Sequence, residues 1–207
     1  MKQIANSLSS LISSVFQPLF MPIYSIMLLF VYTPYFRYTY ISHYWKLMAP
    51  VAIFSFVVPA IFIFVVYKLK IISDLSLKVR KERFIPYLIV LISYNLMIIY
   101  YSRMGMPGWF LMLTASSVVV ILVAIFITMW WKISAHMFGV GGLLGGVMAV
   151  SYFIERTNPN LLLISLFILA GLVGTSRLIL KRHTPLQVLG GFLLGFTISF
   201  AFVWIGA

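Results

Sequence analysis

An all-α, polytopic membrane protein of six or seven spans, preceded by a short N-terminal interfacial helix, is what this sequence predicts. Three observations lead there. Of the 207 residues, 63% are hydrophobic and only 9% charged, against about 25% charged in soluble domains. Mean hydropathy is +1.09, so the polar side chains are too few to cover a surface in water and lipid must be the solvent. The apolar residues fall into seven segments near the roughly 20 residues that a helix needs to cross a bilayer, with cations gathered between them. No linker, low-complexity tract or soluble domain divides the chain, which reads as one integral membrane domain over residues 1–207.

The elements follow in order. Residues 3–14 place Ile4, Leu8, Leu11 and Ile12 at helical spacing among Ser and Asn, the pattern of a helix lying in the interface. This run is too polar for the core of a secretory signal and no small-residue cleavage site follows it. Span one is Val15–Tyr32. Residues 33–46 read as an aromatic-rich loop, with Tyr35, Phe36, Tyr38, Tyr40, Tyr44 and Trp45 at the level of the headgroups. Span two is Leu47–Tyr67, and a basic loop fills 68–85. Span three is Pro86–Tyr101, and Gly105–Gly108 is a turn by composition. Spans four to seven are Trp109–Trp131, Ser134–Phe153, Asn160–Thr175 and Pro185–Ile205.

If all seven cross, alternate loops share a side. One face then carries Lys2, Lys68, Lys70, Lys78, Arg80, Lys81, Arg83, Lys132, Arg177, Lys181 and Arg182. The other carries Arg37, Lys46, Arg103 and Arg156. The net charge of +12 therefore belongs to membrane loops and is no sign of nucleic-acid binding. Acids are scarcer still: Asp74, Glu82 and Glu155 are all there are. That excludes paired-carboxylate catalysis, carboxylate-rich Mg²⁺ sites and carboxylate proton relays. With no cysteine there is no disulfide and no thiolate metal site. No ionisable residue sits in the middle of a span, which argues against a transporter or channel. Chemistry must rest on His, Ser, Lys and Arg.

Spans five and seven are glycine-rich, with Gly139, Gly141, Gly142, Gly145 and Gly146 in one and Gly190, Gly191 and Gly195 in the other. Small residues three and four apart let helices approach closely in lipid, so these spans should pack as a unit and bring His136 near His183. The stretch between spans six and seven holds Arg177, Lys181, Arg182 and His183 within seven positions. Thr184-Pro185 then opens the last helix, with Thr as N-cap and Pro at the first helical position. Lys181 and Arg182 read as headgroup contacts. Cations, an imidazole and a helix start together favour an anion such as phosphate.

Three stretches on the basic face make a pattern. Lys78 stands eight residues before Pro86; Ser134-Ala-His136 opens span five; Ser176-Arg177 precedes His183 by five intervening residues. In order and separation they resemble the motifs of the type-2 phosphatidic acid phosphatase superfamily of membrane lipid phosphatases, over about residues 70–200. Four positions depart from that pattern. Ile85 stands at the superfamily's Arg, with Arg83 as the candidate replacement. Ile133 and Ala135 replace the Pro and Gly of the second motif. Gln187 stands at the superfamily's Asp.

The resemblance implies hydrolysis of a phosphate or diphosphate monoester on a phospholipid or isoprenyl chain, in the bilayer of a bacterial plasma membrane, without metal or other cofactor. It implies His183 as the phosphoryl acceptor through a phosphohistidine, His136 as the proton donor, and Lys78, Ser134, Arg177 and Arg83 as ligands of phosphate oxygens. Haem ligation by the two histidines is disfavoured, because both stand at helix ends among basic loops. Physics is compatible with the implied roles: phosphoryl transfer needs positioning and charge stabilisation, and imidazole serves near pH 7 as nucleophile or acid. Gln187, four residues after His183, can reach it along a helix and accept its ring proton, but carries no charge. Removing the carboxylate of a Ser–His–Asp triad costs about 10⁴ in rate. The sequence thus leaves two outcomes open: a differently tuned phosphatase, or a non-catalytic relative that binds lipid phosphate or a membrane partner.

Overall fold

A computed structural model describes residues 2–75, 77 and 79–207. Ten helices carry the described chain: α1 (Lys2–Val15), α2 (Met21–Tyr32), α3 (Pro34–Tyr40), α4 (Tyr44–Ala52), α5 (Val58–Lys68), α6 (Phe84–Arg103), α7 (Gly108–Thr128), α8 (Ala135–Ala149), α9 (Asn160–Ile179) and α10 (Pro185–Gly206). Among the described residues there is no strand. Among the described residues, seven helical stretches are long and apolar enough to cross a membrane. The protein is an all-α polytopic membrane bundle.

The first two helices are distinct. A break at Gln17 and a 3₁₀ turn at Pro18–Phe20 separate α1 from α2. Ile4, Leu8 and Leu11 of α1 are exposed, while Ser9 and Ser13 are buried where the helix lies along α9. The α4–α5 stretch is one path joined by a π-helical turn at Ile53–Val57. Pro50 and Pro59 explain the turn, since each removes a donor from the ladder and the wider turn re-pairs the carbonyls.

One segment departs from the sequence-based expectation. Residues 33–46 are not an irregular loop: they form α3, a 3₁₀ turn at Ile41–His43 and the start of α4. Pro34 sits in the first turn of α3, where a missing N–H costs nothing. The Glu155 carboxylate accepts from the backbone N–H groups of Tyr35 and Phe36, both at 3.4 Å. A carboxylate at a helix N-terminus meets both its orphan donors and its dipole. The same contact joins the 33–46 and 155–159 connections, as alternation of the spans requires.

The most buried span begins with α8, and its tightest neighbour is α10. A Cβ at Gly141 would lie 2.2 Å from the carbonyl oxygen of Phe192, and one at Gly145 2.3 Å from that of Phe196. From the other helix, a Cβ at Gly195 would lie 2.0 Å from the carbonyl oxygen of Phe138. Only backbones without side chains fit there, the small-residue packing of membrane helices. Further along, the hydroxyls of Ser116 in α7 and Ser199 in α10 meet at 3.0 Å. Close packing of α8 and α10 brings the start of α8 against the start of α10: the Ser134 N–H donates to the Gln187 carbonyl at 3.3 Å.

Candidate active site

At the basic end of the bundle, α1, α6, α8 and the α9–α10 turn surround one cavity of about 620 Å³, and Arg83, His136, Arg177, Arg182 and His183 all line it. The two imidazoles, 47 positions apart in sequence, thus face a common space.

His183 ends the turn after α9, and the helix start that follows holds it. Thr184 is the N-cap of α10, with Pro185 in the first turn. The Thr184 hydroxyl accepts from the Gln187 N–H at 3.4 Å, and Gln187 Oε1 accepts from the Thr184 N–H at 3.2 Å. This reciprocal cap fixes the amide orientation, since a backbone N–H needs an oxygen. The same Oε1 lies 3.2 Å from His183 Nδ1, so Nδ1 carries the proton and donates. Nε2 is left unprotonated, with its lone pair free. The imidazole is only 9% exposed. Burial, and then the neighbouring Arg83 and Arg177, hold its pKa at about 4, well below the usual 6.5. It is neutral at pH 7.

His136 sits in the first turn of α8. Its Nε2 is 3.0 Å from the Ser13 carbonyl oxygen in α1; that oxygen can only accept, so Nε2 carries a proton. Arg177, His183 and Arg83 are within electrostatic reach of the ring. Arg83 is buried at 6% exposure. It donates from Nε to the Leu77 carbonyl at 3.1 Å and from Nη1 to the Ile133 carbonyl at 3.0 Å. It therefore ties the basic loop to the start of α8 and still lines the cavity. Ile85, at the superfamily's Arg position, points elsewhere and is 38% exposed. Arg177, in the last turn of α9, has a buried Nε with no hydrogen-bond partner.

Two expected ligands stand apart. Lys78 lies outside the described residues. Ser134 occupies the N-cap of α8 with extended backbone, but its hydroxyl makes no cap; it is fully buried, unpartnered and off the cavity wall. The reason is the tight α8–α10 contact: a Cβ on Gly191 would come within 2.7 Å of the Ser134 carbonyl, so Ser134 is enclosed in that seam.

Two cations were not singled out by sequence. Arg182 lines the cavity rather than reaching only for headgroups. Lys132 lies close enough to affect His183; burial, then Arg83, Arg182 and Arg177, lower its own pKa. Proximity to the motif was the only signal for either. Of the acids, Glu82 accepts from the Ser73 N–H and hydroxyl at 3.0 and 2.9 Å, and Glu155 lies at the opposite end. The cations gathered on this cavity beside a neutral imidazole make it electropositive, a setting that suits an anion.

Fold and site together define a polytopic membrane protein with a buried cationic pocket at one end of its bundle. Residues 112–207, just under half of the chain, match the family model described as the PAP2 superfamily, a match that supports a member of the type-2 phosphatidic acid phosphatase superfamily. The matched stretch contains Ser134, His136, Arg177, His183 and Gln187 and begins after the basic loop that holds Lys78 and Arg83. No curated protein and no solved structure matches the chain. The match fits an integral membrane protein and a phosphoester hydrolase in general.

Proposed function

We propose that the protein hydrolyses a lipid phosphate or diphosphate monoester at the membrane face where α8 and α10 begin. The observation that carries this reading is the pairing of a neutral, tautomer-fixed His183 with a second imidazole and three arginines on one cavity. The headgroup phosphate lies among Arg83, Arg177 and Arg182, whose planar forks suit its oxygens. The His183 Nε2 lone pair attacks phosphorus as the ester P–O bond breaks. The negative charge of the bound phosphate favours a proton on His136 against burial and the arginines, and the leaving oxygen takes that proton. Water then attacks the phosphohistidine, giving its proton to His136; the P–N bond breaks, inorganic phosphate departs and His183 is neutral again. Arginine charge on the equatorial oxygens supplies most of the stabilisation. Positive charge develops on His183 during attack, and Gln187 meets it with a dipole alone.

A second reading, binding of lipid phosphate without turnover, is favoured by that uncharged amide. Phosphate release by the purified protein from micellar phosphatidic acid, farnesyl diphosphate and phosphatidylglycerophosphate separates the two. The hydrolase reading expects release that falls to background in His183→Ala. Equal rates for the two proteins overturn it, and retained binding of the same lipids then supports the second reading.

A further inference from the structure

The cavity does not end at the arginines. Its wall continues along α6 through Val90, Tyr94 and Met97 and along α7 through Ile121, Val120 and Phe110. From Arg83 to Met97 is 14 residues, or about 21 Å at 1.5 Å per residue, more than half of a hydrocarbon layer of roughly 30 Å. On this wall Thr114 donates to the Phe110 and Leu111 carbonyls and Ser116 to the Leu113 carbonyl, while Tyr87, Tyr94 and Ser117 also bring hydroxyls to it. Apolar side chains still make up most of the deep lining. Interiors are close-packed, so a space of about 620 Å³ has the size of a ligand site. It also reaches the bundle's side, since Phe64 of α5 lines it and is 49% exposed.

Resting on the phosphatase reading, we propose that this chamber draws the substrate's hydrocarbon chain into the protein and measures it. The substrate class is a long-chain phosphate monoester whose head meets the arginines while its chain extends toward Met97 and Phe110. The charge at one end and the apolar length behind it match such an amphiphile. Each buried methylene is worth roughly fourfold in binding, so affinity climbs with chain length until the chamber is full.

The experiment uses n-alkyl phosphates from hexyl to octadecyl, with the matching alkylphosphonates as non-hydrolysable probes. In wild type, kcat/KM and the phosphonate-induced rise in Tm should both climb with length and then level off. Val90→Trp blocks the chamber about 10 Å above Arg83 and should lower kcat/KM roughly tenfold or more for long chains and shrink their Tm rise, leaving the hexyl compounds unchanged. Met97→Trp should affect only the longest. A variant that keeps hexyl phosphate turnover or hexylphosphonate binding is folded; if either fails to fold, the other carries the test. Length profiles identical to wild type in a folded variant overturn the chamber. If no phosphate is released from any ester, the catalytic reading fails, and the phosphonate series still decides the chamber.

Discussion

His183 Nδ1 and Gln187 Oε1 lie 3.2 Å apart, and that same oxygen accepts the backbone N–H of Thr184. One amide therefore does two things: it closes the N-terminus of α10 and sets the tautomer of the imidazole. The helix start and the reactive ring are a single hydrogen-bonded unit.

Charge at position 187 should control rate. Gln187→Glu keeps the side-chain length and gives the developing imidazolium a counter-charge; Gln187→Asp restores the superfamily residue. Turnover on a short-chain lipid phosphate should rise at least about tenfold in one or both, a fraction of the roughly 10⁴ attached to the triad carboxylate. Gln187→Leu removes both tautomer control and half of the cap, and should lower turnover and cost about 1 kcal/mol of stability. A fall in rate with either acid would show that the amide is tuned to this pocket.

The neutral state of His183 predicts an unusual acid limb. Its pKa of about 4 means that the free enzyme keeps the attacking nitrogen unprotonated down to that pH. The kcat/KM profile should show the nucleophile's limb near 4, and Gln187→Glu should move it upward. The stability consequence has the opposite sense from a salt-bridged His. The folded pKa is below the unfolded value, so the unfolded chain binds the extra proton as pH falls from 6.5 toward 4. Stability is lost across that window, and His183→Asn should flatten this part of the Tm-versus-pH curve.

How much of this was legible in the sequence follows from the range of each interaction. Thr184 and Pro185 are local, and their cap was readable from spacing, as was the reach of Gln187 back to His183. The close approach of α8 and α10 was readable because it depends only on missing side chains. The Ser13 carbonyl on His136 was not, because 123 positions separate them and a backbone acceptor leaves no mark on residue type. Arg83 was ambiguous for a related reason. A guanidinium that binds carbonyls and one that binds phosphate are the same residue in a sequence, and here it lines the cavity while holding Leu77 and Ile133. The helicity of 33–46 was hidden because its N-terminal partner, Glu155, lies beyond four spans.

The double duty of Arg83 can be separated from charge. Arg83→Lys keeps the cation but cannot donate to both carbonyls in fork geometry. It should lower Tm, with each lost charge-assisted bond worth about 1.5–3 kcal/mol, and reduce phosphate release. Arg177 has no such structural bond on Nε. Arg177→Ala should leave Tm near wild type, raise KM for lipid phosphate and weaken the dependence of binding on salt. Equal Tm losses in the two variants would contradict this division.

The glycines give the last contrast. Gly145→Ala puts a carbon 2.3 Å from the Phe196 carbonyl oxygen. Backbone is all it meets, so no rotamer change relieves the clash and α8 must move away from α10. Because Ser134 and Gln187 join the starts of those helices, the displacement should reach His136 and His183 and cost activity along with stability. A Cβ added at Gly171 in α9 would meet nothing within 4 Å. Gly171→Ala should be harmless or stabilise by up to about 1 kcal/mol through helix propensity. Tm in detergent and phosphate release, measured on both variants, check this. Activity retained in Gly145→Ala would mean that the seam between α8 and α10 does not position the two imidazoles.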